Sequence, residues 1–358
     1  MPHIRFEHRT YALGDNESVL DGLTRHGVSV PSSCRSGICQ TCIMRAVQGT
    51  PPPASQASIK ESLRARNFFL ACACKPTEDL EVALPGNDDI PLTAAEVIGK
   101  DALNHDITRL RLRTQPGLVY RAGQFVNLHH DEVVRSYSLA SVPQTEDFIE
   151  LHVQRIAHGR LSGWLHDECT VGTTLSLQGP LGDCYYSKSD VNQALLLIGT
   201  GSGLAPLWGI ARDALAQGHS GPIHLFHGSR TAAGLYLMDA LQALAQRHPN
   251  FQYTACVSGG GTQGDYRLGR ANEIALADYP QLKGWQVFLC GNADMVKTTK
   301  KKAFLAGAAL KDIHADPFEF SATPSTEQHH TEQDHGLSCT PLAAQRALSL
   351  TQRSRAAD

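Results

Sequence analysis

Residues 31–42 read PSSCRSGICQTC, and this stretch decides how the rest of the chain is understood. Its cysteines, Cys34, Cys39 and Cys42, are spaced C-x4-C-x2-C, and the next cysteine is Cys72. Four thiolates in this order are the spacing of a [2Fe-2S] cluster, because soft sulfur ligands suit iron and sulfide and two cysteines complete a tetrahedron at each iron. Serines, Arg35 and Gly37 sit beside the first ligand, so backbone N–H groups can turn toward the sulfurs, and Gly37 can take angles closed to other residues. Zinc is a weaker alternative, since its sites usually pair C-x2-C knuckles and the x4 offset is atypical. Disulfides would suit an exported chain, and buried free thiols remain the third alternative. Cys74 is read as a packed neighbour of Cys72.

Together with LACACKP at residues 70–76, this stretch resembles a plant-type ferredoxin, with Cys72 in the place of the fourth ligand. The resemblance implies a β-grasp ferredoxin domain. Gln40 stands where that family often carries a small residue, so local packing is expected to differ there.

A chain of 358 residues has room for two or three domains. A hydrophobic fraction of 42% and a charged fraction of 19% are those of a soluble globular protein, and a net charge of −3 gives no basic footprint for nucleic acid. The opening MPHIRFEHRTYAL alternates like a strand and lacks the apolar run of a signal peptide, and no stretch is long and apolar enough for a membrane helix. Ten cysteines without an export signal point to a reducing cytoplasm, where thiols serve metals or catalysis.

Along the chain the texture changes three times. Residues 1–86 read as short strands around a helix at SVLDGLTRHG, closed by DLEVAL, and PGNDDIPL then marks a boundary. Residues 93–188 hold strand patterns, among them TRLRLRT, GQFVNLHH, RSYSLAS and FIELHVQRI, which predict an antiparallel β-barrel. Residues 190–318 alternate strands (ALLLI, IHLFHG, FQYTACVS, WQVFLCG) with helices, one of them at AAGLYLMDALQALAQ, which predicts an α/β doubly wound parallel sheet. The whole is thus α+β and multidomain. Residues 319–358, polar and rich in Ser, Thr, Gln and Glu, read as a disordered tail with a weak helix at PLAAQRALSL, and His329, His330 and His335 there as solvated side chains.

Two further motifs carry chemistry. In RSYSLAS, Arg135, Tyr137 and Leu139 face one side of a strand and Ser136 and Ser138 the other. An arginine fork suits a phosphate, a tyrosine can lie on a flavin ring, and a serine hydroxyl can reach a ring nitrogen; the bland reading is a strand with polar surface residues. Gly159, Arg160, Leu161 and Ser162 in HGRLSGWL stand at an expected helix start, a ready diphosphate site. The two motifs resemble the flavin domain of the ferredoxin-NADP reductase superfamily, which implies FAD, with His152 and Val153 on the strand flanking it.

After ALLLI the chain runs Gly199-Thr200-Gly201-Ser202-Gly203-Leu-Ala-Pro into a helix, a turn whose glycines let backbone approach a pyrophosphate. It departs from the generic G-x-G-x-x-G pattern at Leu204, and no acidic residue closes the next strand. With CGNADM at residues 290–295 it resembles the nicotinamide turn of the same superfamily. That resemblance implies that Cys290 and Gly291 lie beside the nicotinamide, that Thr200 and Cys290 position it, that Ser138 tunes the flavin, and that Phe318, with Phe320 as competitor, covers the ring; the alternatives are a buried strand-end thiol at Cys290 and a plain core phenylalanine at Phe318. Arg230 can meet a 2′-phosphate, yet GGGTQGDYR after Ser258 delays its arginine, so NADH is expected before NADPH.

A nicotinamide gives up two electrons as a hydride and a [2Fe-2S] cluster passes one, so a flavin must stand between them. The order cluster, flavin, nicotinamide resembles the reductase components of multicomponent bacterial oxygenases. This implies an NADH-dependent oxidoreductase that passes single electrons to a terminal oxygenase or a ferredoxin. The alternative is a stand-alone, diaphorase-like flavin or ferric reductase acting on small acceptors; a non-enzymatic regulatory cluster protein would leave complete reductase motifs unused.

Overall fold

The computed structural model describes residues 1–319 apart from 87–88, 116, 189 and 261–263. The tail expectations and Phe320 fall outside these residues.

The first sheet holds β1 (His3–Phe6), β2 (Arg9–Ala12), β3 (Ile43–Gln48), β4 (Phe68–Leu70) and β5 (Leu80–Ala83) in the order β2-β1-β5-β3-β4. β1 runs parallel to β5 and the other pairs are antiparallel. Across it lies α1 (Val19–Arg25), whose start is set by Ser18: its hydroxyl accepts from the Asp21 N–H at 3.1 Å. Leu20 and Leu23 of this helix are buried with Met44, Phe68 and Phe69. A short α2 (Glu61–Arg64) precedes β4.

The second sheet is antiparallel throughout: β6 (Thr93–Ala102), β7 (Ile107–Thr114), β8 (Phe125–His130), β9 (Val133–Ser138), β10 (Ile149–Gln154) and β11 (Thr174–Leu181), in the order β10-β7-β6-β11-β8-β9. A bridge between Leu139 and Leu151 brings its two edges together, so the sheet curls into the expected barrel. The alternation in TRLRLRT holds, with Leu110 and Leu112 in the barrel core and the arginines at its surface. α3 (Arg160–Asp167) follows β10.

The third sheet is parallel: β12 (Leu195–Thr200), β13 (Ile223–Ser229), β14 (Phe251–Val257), β15 (Arg267–Leu268), β16 (Gln286–Asn292) and β17 (Ile313–Phe318), in the order β15-β14-β13-β12-β16-β17. Strand residues alternate between two cores. Leu195 and Leu197 pack with α4 (Leu204–Ala216) and α5 (Met238–Arg247). Leu196 and Ile198 pack with α6 (Ala271–Asp278) and α7 (Ala293–Leu305). Helices on both faces make the sheet doubly wound. One helix is shorter than its sequence predicts: α5 begins only at Met238, because Leu237 takes a left-handed φ of 55° and the preceding Tyr236 reaches into the barrel to bond His152. No helix among the described residues is long and apolar enough to cross a membrane.

The barrel and the third sheet are fastened through α4. A Cβ on Gly209 would lie 2.9 Å from the Ala140 carbonyl oxygen, and one turn on, Arg212 donates to that same oxygen at 2.7 Å and pairs with Glu146 at 2.7 Å. In an open helix Gly→Ala stabilises by about 1 kcal/mol. Here overpacking against backbone costs about 1–3 kcal/mol. Gly209→Ala should therefore lower the thermal midpoint by about 2–6 °C in a melting experiment, and an unchanged or higher midpoint contradicts the close contact.

Candidate functional site

The four cysteines of the opening motif come together at the end of the first sheet. Cys39 and Cys42 are buried, Cys34 and Cys72 half-buried. The thiols of Cys34 and Cys39 lie within hydrogen-bonding reach of each other, as do those of Cys42 and Cys72, and all four are free. Among the described residues no group of three or more His, Cys, Asp or Glu converges on a point that could hold a single metal ion. A mononuclear zinc site would need four donors around one ion, whereas two thiol pairs suit two irons, each tetrahedron completed by sulfide.

The loop supplies the donors such sulfurs want. The N–H groups of Ser36 and Cys39 donate to Cys34 Sγ at 3.4 and 3.3 Å, and the Thr41 hydroxyl donates to Cys39 Sγ at 3.2 Å. The Cys39 thiol, with the Ser36 hydroxyl and these backbone donors, pulls Cys34 well below the usual thiol value, which favours the thiolate a metal ligand needs. Cys74 is fully buried in the core, which pushes its thiol up to about 12. The larger side chain of Gln40 is accommodated by donation to the Ser58 carbonyl at 2.8 Å.

RSYSLAS forms β9 and the residues after it. Arg135 is half-buried, with Nη1 on the Val134 carbonyl at 2.7 Å, and Tyr137 packs against the barrel core. Ser136 donates to Asn127 Oδ1 at 2.7 Å, and Ser138 donates to Asp316 Oδ2 at 2.7 Å. The His152 ring is enclosed between Glu150 Oε1 at 3.0 Å and the Tyr236 hydroxyl at 3.2 Å, and Val153 is fully buried, so both side chains are turned into protein. Gly159 is the N-cap of α3 and carries no side-chain cap, which leaves the N–H groups of Arg160, Leu161 and Ser162 without a capping oxygen, as an oxyanion site requires. The Ser162 hydroxyl accepts from the Ile156 N–H at 3.2 Å and fixes the turn.

Gly199 and Cys290 stand opposite each other on β12 and β16, at the point where the strand order reverses, which is where open α/β sheets bind ligands. The two turns there interlock. A Cβ on Gly203 would lie 2.4 Å from the Cys290 carbonyl oxygen, and Gly291, at φ 114°, lies against Thr200. Thr200 Oγ1 accepts from the Asn292 N–H at 3.1 Å. Gly201 is left-handed at φ 56°, and Ser202 bonds Gln154 of the barrel at 3.4 Å. Cys290 is fully buried, 3.8 Å from Cys184 Sγ, and burial holds its thiol well above the usual value, so it stays protonated. Arg230 is exposed beyond β13, and Phe318 is half-buried at the end of β17.

Two polar residues at this site had no role in the sequence reading. Asp316, opposite Cys290 on β17, joins Ser138 and Cys290 in one buried group. Its signal was a carboxylate inside a strand that otherwise packs. Asn127, fully buried on β8, bonds Ser136, Gln178 and the Cys39 carbonyl; nothing in GQFVNLHH sets it apart.

Comparison with known proteins gives three domain matches: a 2Fe-2S iron-sulfur cluster binding domain at residues 4–77, an oxidoreductase FAD-binding domain at 94–186 and an oxidoreductase NAD-binding domain at 197–301. The chain is 32% identical to the ferredoxin–NAD(P)(+) reductase component of naphthalene 1,2-dioxygenase/salicylate 5-hydroxylase systems from Ralstonia sp, over 84% of this chain and 93% of that protein. It is 33% identical to the reductase subunit of an aromatic O-demethylase from Amycolatopsis, over 84% and 94%. Among solved structures, the Amycolatopsis cytochrome P450 reductase GcoB superposes with a TM-score of 0.64 at 32% identity, covering 89% of this chain and 99% of that one. The ferredoxin reductase in carbazole 1,9a-dioxygenase superposes with a TM-score of 0.60 at 26% identity, covering 89% and 98%.

Burial raises Asp316 from 3.8 to about 6. Between those values the unfolded chain has ionised and the folded one has not, so stability falls as pH rises through this window. The full penalty, about 3 kcal/mol, is present above it. Asp316→Asn keeps an acceptor for Ser138 and removes the charge. Its thermal midpoint should exceed that of the native chain clearly at pH 8 and much less at pH 5; a pH-independent difference contradicts a buried, raised carboxyl.

Proposed function

This chain belongs to the family of reductase components that join 2Fe-2S, FAD-binding and NAD-binding domains in one polypeptide, and we propose that it oxidises NADH and hands single electrons to a terminal oxygenase or a ferredoxin. The observation that carries this reading is convergence. Ser138 of the flavin motif, Cys290 of the nicotinamide turn and Asp316 form one buried group, while the loop holding Cys39 is bonded to the same barrel. When bound, FAD accepts a hydride from the nicotinamide and releases the pair one electron at a time.

The protein's own part is to bind, orient and exclude water. Arg135 and the first turn of α3, from Gly159 to Ser162, hold the FAD phosphates, and Tyr137 flanks the flavin ring. The turn from Gly199 to Gly203 takes the pyrophosphate of the nicotinamide nucleotide, for which Gly203 leaves backbone bare. Thr200, Cys290 and Gly291 shape the nicotinamide end; the neutral Cys290 thiol offers bulk and polarizability rather than charge. Phe318 covers the ring face until nicotinamide arrives. The Ser138 hydroxyl, bonded to a carboxyl that titrates near 6, can keep or pass a proton at the flavin edge. Cys34 and Cys39 hold one iron, Cys42 and Cys72 the other. NADH is favoured over NADPH because Arg267, the first arginine after Ser258, is committed to Asp278, which leaves Arg230 alone to meet a 2′-phosphate.

Other reductase components among the relatives serve terephthalate 1,2-dioxygenase and phenol 2-monooxygenase, so the acceptor is sought among oxygenases of aromatic compounds and their ferredoxins. The exit is tested by Cys42→Ser. NADH-dependent reduction of cytochrome c should fall to background while NADH-to-ferricyanide activity stays within about twofold of the native rate. Survival of both activities would show that electrons do not leave through the cluster, and loss of both that the cluster holds the fold together.

A further inference from the structure

Asn127 lies in the middle of β8 and is fully buried. In register, Ser136 stands beside it on β9 and Gln178 on β11. Its Oδ1 accepts from the Ser136 hydroxyl at 2.7 Å, and its Nδ2 donates both to Gln178 Oε1 at 2.9 Å and to the backbone carbonyl of Cys39 at 3.0 Å. A carboxamide has two N–H donors and one carbonyl acceptor, so every group on this side chain is engaged, and the network fixes which way round the amide sits.

The third bond is unlike the other two. Cys39 is 88 positions away, in the loop assigned to the cluster. Among the described residues, no other hydrogen bond or ion pair joins residues 1–86 to the barrel strands. The loop it holds is not a regular element: Arg35 at φ 52° and Gln40 at φ 58° are non-glycine residues in the left-handed region, a backbone that persists only where its surroundings impose it. On the other side of the same amide stands Ser136, within the flavin motif. One side chain thus spans from the backbone of a cluster thiol to the flavin-binding strand.

We propose that Asn127 is a positioning residue for electron transfer: it seats the loop of Cys39 on the flavin barrel and so sets the separation that electrons cross between the flavin and the cluster. This rests on the route proposed above. Transfer between two centres falls steeply with distance, so a loop free to lift from the barrel would slow this step and leave oxidation of NADH untouched. A buried amide serving stability alone would make no such distinction between steps.

The test uses full-length protein loaded with FAD and iron. In Asn127→Asp the donor facing Cys39 is replaced by a carboxylate oxygen, and the acceptor for Ser136 remains. Asn127→Ser, too short to span, serves should the first variant not fold. Loss of a bond of this kind corresponds to about 1–3 kcal/mol, so hydrogen–deuterium exchange at residues 34–42 should accelerate by roughly 5- to 150-fold. Cytochrome c reduction should fall by about tenfold or more, NADH-to-ferricyanide activity should stay within about twofold, and iron and flavin contents should not change. Unchanged exchange in the loop overturns the proposal, and so do equal losses in both activities. Loss of iron from the variants overturns it as well, since Asn127 would then be holding the cluster rather than setting its place. Native protein that is fully loaded yet reduces no cytochrome c would defeat the proposed function instead, and the exchange measurement would still judge Asn127.

Discussion

The hydroxyl of Ser138 donates to the carboxylate of Asp316 across 178 positions of sequence, and both residues are buried. It joins the last residue of β9 in the barrel to β17, the final strand of the parallel sheet. A buried hydrogen bond to a carboxyl contributes about 1.5–3 kcal/mol when made and leaves a costly orphan when broken, so the two sheets are held in one relative placement. The same carboxyl stands opposite Cys290, which in turn stands opposite Gly199. In the proposed arrangement, Ser138 fixes where a flavin ring at β9 would meet a nicotinamide at the β12 turn.

Much of the remaining architecture keeps that placement rigid. Interfaces between domains of one chain are often loose enough to allow relative motion. Here α4 lies directly on the barrel at Gly209, Arg212 pairs with Glu146 and stacks on Trp208, and Tyr236, in the segment before α5, bonds His152 of the barrel. At the turns after β12 and within β16, Gly203 and Gly291 let two backbones pass where a single methyl group would not fit. Two residues back along β9 from Ser138, Ser136 bonds the Asn127 amide, which reaches on to the Cys39 carbonyl. The placement is thus held by a few hydrogen bonds and close backbone contacts, together with an apolar cluster in which Ile107 of the barrel packs with Leu195 and Leu197 of the parallel sheet.

The domains and their cofactors were legible in the sequence because each depends on local spacing. Thiol ligands recur at fixed offsets, a parallel strand ends in a glycine turn before a helix, and a strand that alternates Arg, Ser, Tyr and Ser shows two faces. What was not legible lies where the partner is far along the chain. Asp316 gains meaning only from its distance to Ser138, and Asn127 only from its distance to Cys39. The start of α5 was misplaced for the same reason. The sequence from Ala232 reads as one helix, yet only a 3-10 turn forms at Ala232–Gly234, and the bond from Tyr236 to His152 holds the chain out of helical geometry from Leu235 to Leu237. Local propensity was overruled by a tertiary contact.

The account rests on electrons from NADH reaching the cluster within this one polypeptide. The most direct measurement is to add NADH to the purified, fully loaded protein without oxygen and to follow visible absorbance and low-temperature electron paramagnetic resonance together. The account predicts that the flavin absorbance bleaches first and that the signal of a reduced [2Fe-2S] cluster then grows in the same sample. Bleached flavin beside a cluster that stays oxidised and silent would contradict it.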